Sequence, residues 1–169
     1  MIFYFFIFLT ILILLVLQIL FSLYIFFSNI VLEFLVISLI YFSLKYGSIF
    51  GEFYGFLSGI LLDIFSVSIF GLRSLVLTIL GFLLGKMSHK VDEDKIKVQL
   101  LLCFFVLSFY YLFIFLFCKI FFPESSCWMG FSVFLGRIGV NCFFTPFTFK
   151  LLDLLTKRIK KWSGKANYR

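Results

Sequence analysis

Polar residues interrupt this chain at intervals too wide for a water-soluble fold. Residues 1–27 carry only Gln18 and a few small hydroxyls between apolar side chains, and Ser28 and Asn29 then mark a turn. Further apolar runs follow at 31–46, which opens with Glu33 and closes on Lys45, Tyr46 and Gly47, and then at 48–66, 71–86, 98–122 and 129–155. A helix rises about 1.5 Å per residue and the hydrocarbon of a bilayer is about 30 Å thick, so about 20 apolar residues make one crossing. The pattern predicts an all-α, polytopic membrane protein: a bundle of about six transmembrane helices over residues 1–156 and a basic cytoplasmic tail over 157–169. The first run has neither a basic leader nor a small-residue cleavage site, so it reads as a retained helix and not as a signal peptide.

The breaks between the runs are polar. Residues 86–97 form the one strongly hydrophilic interior stretch, a solvated loop. Pro123 ends the fifth run because it cannot donate a helical hydrogen bond, and 124–128 reads as a short polar turn. The sixth run is interrupted by Arg137, Asn141 and Pro146, and Pro146 is expected to kink or loosen its helix.

Composition removes the soluble alternative: 63% of the 169 residues are hydrophobic and 14% charged, against about 25% charged in soluble domains. Lipid must cover most of the exterior. The net charge of +7 does not read as a nucleic-acid signal, because six of the fifteen Lys and Arg lie in the last thirteen residues beside a membrane helix. Lys and Arg resist translocation. With six crossings and an internal N-terminus, Lys45, Lys86, Lys90, Lys95, Lys97 and the six basic tail residues share one side, eleven of fifteen. Both termini are therefore expected in the cytoplasm, with Arg73 and Lys119 opposite.

Two features go beyond hydropathy. Gly47, Gly51, Gly55 and Gly59 recur every four residues and Asp63 continues the row; residues four apart share a helix face. A face without side chains lets another helix approach closely, either inside this bundle or from a partner protein. Gly81 and Gly85 repeat the device one helix later. Asp63 is the second feature, since an ionised carboxylate in a membrane costs several kcal/mol unless paired or hydrated. Arg73 and Arg137 are its candidate partners. Lys45, Glu52, Lys150 and Asp153 sit at helix ends, where snorkelling to the interface accounts for them.

Candidate chemistry adds little. No nucleophile beside a base, paired carboxylates, metal-binding helix motif or phosphate-binding glycine loop is present, so no enzyme, cofactor or metal is expected. His89 is the single histidine, and Asp92, Glu93 and Asp94 are flanked by lysines in a charge-balanced loop. Cys103, Cys118, Cys127 and Cys142 contain no C-x-x-C pair; those in apolar runs read as small hydrophobes.

The block Gly55-Phe-Leu-Ser-Gly59-Ile-Leu-Leu-Asp63, then Gly71-Leu-Arg-Ser-Leu, then Gly81-Phe-Leu-Leu-Gly85-Lys resembles the core of the bacterial rod shape-determining protein MreD family. The match covers about Lys45 to Lys86, with Asn141 and Pro146 loosely similar, and residues 66–70 lack the Gly or Pro often found there. The resemblance implies a non-enzymatic inner-membrane subunit of the cell-elongation complex. Its partners would be MreC, the MreB filament, and RodA with its transpeptidase, which build side-wall peptidoglycan. The family is also similar in architecture to the substrate-binding subunits of vitamin transporters. A small-molecule site lined by Asp63, Arg137 and Asn141 is therefore the alternative, and binding of the basic tail to anionic lipid a third reading. Oligomeric state is not legible.

Overall fold

Glycine and charge set the helix ends. A computed structural model describes residues 2–24, 31–65, 69–88, 91, 95–121 and 131–162, with backbone alone for 2–6, 24 and 159–162. The turn at Ser28 and Asn29, His89, the Asp92 to Asp94 triplet, the segment 122–130 with Pro123, and residues 163–169 lie outside the described residues. Six α-helices and, among the described residues, no strand are present. They are α1 (Ile2–Tyr24), α2 (Phe34–Tyr46), α3 (Ser48–Ile64), α4 (Leu72–Lys86), α5 (Ile96–Phe121) and α6 (Phe131–Trp162).

α2 and α3 are separated by Gly47 alone, which adopts φ 87°, a conformation open to Gly because it lacks a Cβ. Its N–H still donates to the Ser43 carbonyl at 3.0 Å, closing the last turn of α2, and its own carbonyl accepts from Gly51 at 3.0 Å. The first residues of the basic segment, from 157, belong to α6, which is helical through Trp162. No Gly or Pro falls between residues 147 and 163, and Lys and Arg are good helix formers, so the helix runs on past its apolar part.

α2 is the axis of the bundle. Every side chain from Phe34 to Leu44 is buried, and α2 packs against each of the other five helices. The others carry large exposed apolar side chains, such as Leu20 on α1, Ile49 and Phe53 on α3, Leu75 on α4, Phe105 on α5 and Phe143 on α6. α5 and the stretch Phe131–Arg158 of α6 are long and apolar enough to cross a membrane. α2, α3 and α4 span 13, 17 and 15 residues, which at about 1.5 Å per residue is about 20 to 26 Å. The antiparallel arrangement gathers Glu33, Asp63, Arg73 and Arg137 at one end of the bundle and Lys45, Lys86, Lys150 and Asp153 at the other.

Candidate functional site

The closest helix pair is α3 with α4, and glycine is the reason. A Cβ on Gly55 would overlap the Leu77 carbonyl, one on Gly59 would overlap the Ser74 backbone, and Gly51 and Gly81 lie against each other's backbone. Gly85 meets the backbone of Gly47 and Ser48 in the same way. The row that could have faced a partner is thus filled by this chain's own α4. Gly47 and Gly71 play a different part: nothing lies within 4 Å of a Cβ built on either, and both have positive φ.

Gly71 begins α4 with φ 90°, and this turn delivers the start of α4 to Asp63. The Asp63 carboxylate, 2% exposed, accepts the backbone N–H groups of Gly71 at 2.9 Å, Ser74 at 3.1 Å and Arg73 at 3.3 Å. The first N–H groups of any helix lack an intrahelical acceptor, and the helix dipole favours negative charge there. Asp63 therefore caps α4 from α3. The amides of the next helix reach the carboxylate, and the charge of Arg73, one of the two candidate partners named from the sequence, acts on it as well. Arg73 contributes its N–H at this turn and carries a guanidinium besides.

That guanidinium lines a cavity of about 350 Å³ at the same end, together with Gln18, Glu33, Tyr110, Tyr111 and Arg137. Glu33 is 5% exposed. Its Oε2 accepts from Gln18 Nε2 at 2.8 Å and its Oε1 from the Tyr111 hydroxyl at 3.5 Å, and Arg73 and Arg137 are the cations whose charge it feels. The Arg137 guanidinium also lies 5.9 Å from the centre of the Tyr111 ring, a cation–π geometry. Two polar atoms of the lining have no hydrogen-bond partner among the described residues: Arg73 Nε and the hydroxyl of Tyr110, a residue with no exposed surface.

The wall behind Glu33 solves a problem specific to lipid. The N-terminus of α2 is buried among its neighbours at this end of the bundle, and side chains satisfy its N–H groups. Gln18 of α1 accepts Leu35 N–H at 3.2 Å through Oε1. Asn141 of α6, fully buried, accepts Glu33 N–H at 2.8 Å and donates to the carbonyls of Val31 at 2.9 Å and Arg137 at 2.8 Å. Asn141 therefore stitches α6 to the entry of α2. Of the residues singled out from the sequence, Arg73 and Arg137 line the cavity, Asn141 and Asp63 support helix starts, and Pro146 lies at the far end against a separate hollow. The sequence marks Gln18 and Glu33 only as polar interruptions of apolar runs, and nothing in it singles out Tyr110 or Tyr111. The available signal was the isolated amide Gln18 and carboxylate Glu33 in otherwise apolar runs, each needing a partner.

Cys103 and Cys142 are free, but Cys118 near the end of α5 is disulfide-bonded, which corrects its reading as a plain apolar side chain. Thr145, just before Pro146, donates to the Asn141 carbonyl one turn back at 2.8 Å, and α6 is helical through the proline.

A family model described as rod shape-determining protein MreD matches residues 1–159 of the chain. No curated protein and no solved structure matches it.

Proposed function

Because this chain belongs to the rod shape-determining protein MreD family, a membrane protein family whose role is in rod-shape determination, we propose that it is a non-enzymatic, multi-pass subunit of the bacterial cell-elongation complex. In this reading it crosses the inner membrane six times and guides side-wall peptidoglycan synthesis by holding an MreC-like membrane protein, and through it MreB, RodA and its transpeptidase. The five outer helices expose apolar side chains around a buried α2, as a bundle dissolved in lipid should. α3 and α4, shorter than the hydrocarbon is thick, fit by local thinning of the bilayer. The lysine-rich end faces the cytoplasm, which also puts Cys118 on the side where disulfides persist. A reporter fused at Arg169 that was active only outside the cytoplasm would overturn this orientation.

The cavity at the Glu33 end carries the partner proposal. The glycine row is already used by α4, whereas the cavity presents two guanidinium groups, a buried carboxylate and two polar atoms unpartnered among the described residues, and in this orientation it opens at the extracytoplasmic face. A polar segment of the partner entering there would meet Arg73 Nε and the Tyr110 hydroxyl. Arg137→Gln is expected to lower co-purification of the MreC-like partner about tenfold or more, the cost of truncating one member of a buried charge pair across an interface, and to round the cells while the protein still inserts. Undiminished co-purification with normal rods would refute the cavity as the docking site.

The alternative, a small-molecule site, gains support from the same convergence of Gln18, Glu33, Arg73 and Arg137 in a cavity of about 350 Å³, within the size range of ligand pockets. Saturable binding of a small ligand by the purified chain, lost in Arg137→Gln and indifferent to the partner, would favour it.

A further inference from the structure

The opposite end of the bundle holds a second cavity, of about 320 Å³, between α2, α5 and α6. Tyr41, Lys45, Gln99, Pro146, Lys150 and Asp153 line it, with Phe149 as a buried floor. Lys45 is fixed in place. Its ammonium lies 2.8 Å from Asp153 Oδ1 and also donates to the Tyr41 hydroxyl, which is itself 2.8 Å from Thr156 Oγ1. Lys157 takes the other oxygen of the same carboxylate at 2.6 Å. One carboxylate thus serves two ammonium groups, and Lys150, exposed at the cavity rim, has no acidic partner among the described residues.

We infer that this cavity binds the phosphodiester headgroup of an anionic glycerophospholipid from the cytoplasmic leaflet. The excess of positive charge calls for an anion, and basic pockets between membrane helices on the cytoplasmic side suit lipid headgroups. The apolar parts favour a lipid over a free ion. Pro146 offers no backbone N–H, the Phe149 ring packs edge-on against Tyr41 at 5.5 Å, and Ile96 on the lining is 60% exposed, a path for an acyl chain leaving the headgroup. This site is separate from the basic stretch after residue 157. It rests on the multi-pass membrane reading and is independent of the partner-docking proposal.

The test uses the full chain purified in a neutral detergent, with bound lipid counted by native mass spectrometry during titration with phosphatidylglycerol or phosphatidylcholine. The wild type is expected to retain phosphatidylglycerol preferentially, and Lys150→Gln to lose about fivefold in that retention. Lys119→Gln, an equal loss of charge at the other end of α5, is expected to lose none. Equal retention by Lys150→Gln and the wild type, or equal losses in both variants, would overturn the site. Complete displacement by millimolar inorganic phosphate would overturn the lipid as its occupant. Recovery of the wild type in the soluble fraction would refute the membrane reading on which the site depends.

Discussion

The α3–α4 seam and the cavity at the Glu33 end occupy neighbouring parts of one bundle and are built in opposite ways. The seam is made of missing side chains: Gly51, Gly55, Gly59, Gly81 and Gly85 bring backbone against backbone. The cavity is polar and is made of side chains drawn from distant parts of the chain, Gln18, Glu33, Arg73, Tyr110, Tyr111 and Arg137. Asp63 and Gly71 join the two, because the turn that closes the seam also delivers Arg73 to the cavity. The comparison teaches that lipid makes opposite demands on a scaffold. Association without a hydrophobic drive needs close contact, whereas a polar site needs every buried group either partnered or kept for a ligand.

The seam should break hardest. In Gly55→Leu even the Cβ overlaps the Leu77 carbonyl, and backbone cannot swing aside as a flexible side chain can. The cost is expected at ~3 kcal/mol or more, read as loss of the monodisperse peak in detergent and a collapse of the thermal transition. A variant that eluted and melted like the wild type would show that α3 and α4 are not held by this contact. Asp63→Ala should come next. It removes the acceptor of three amides at the start of α4 without adding bulk, for an expected ~2 to 3 kcal/mol. Because Arg73 rides on that first turn, partner retention should fall with it. Unchanged stability with lost partner binding would instead separate the cap from the seam.

These two regions were unequally legible in the sequence. The glycine period is a statement about one helix face, and a period survives folding, so Gly51, Gly55 and Gly59 could be read as a packing stripe before any coordinates. What filled the stripe could not, because a partner helix and α4 offer the same backbone. Gly47 shares the spacing and its backbone meets Gly85, yet a Cβ on Gly47 itself would meet nothing; its own service is its positive φ, which spacing does not encode. Asp63 was visible as a costly charge, yet its acceptor role depends on a turn bringing α4 back. Glu33 and Asn141 are 108 residues apart and meet only when α6 closes over α2. No local pattern carries that. The helical run to Trp162 is likewise not written in hydropathy, because charge marks where apolar sequence ends and not where a helix does.

Tyr110→Phe should have the smallest effect on the fold, and it separates the two regions most cleanly. The Tyr110 hydroxyl is buried and unpartnered among the described residues, so it costs the folded protein desolvation with no bond in return. Removing one oxygen leaves the ring and its packing against Tyr111, at 5.4 Å between centres, in place. Stability is therefore expected to stay level or rise by up to ~1 kcal/mol, in contrast to Gly55→Leu. If the hydroxyl is kept to meet a polar segment of a partner, co-purification of the MreC-like protein should fall about three- to tenfold in the same variant, the value of one hydrogen bond. A matched measurement of melting and partner retention decides the point. A destabilised Tyr110→Phe would mean that the hydroxyl already serves the fold, and the cavity would then be a filled part of the core.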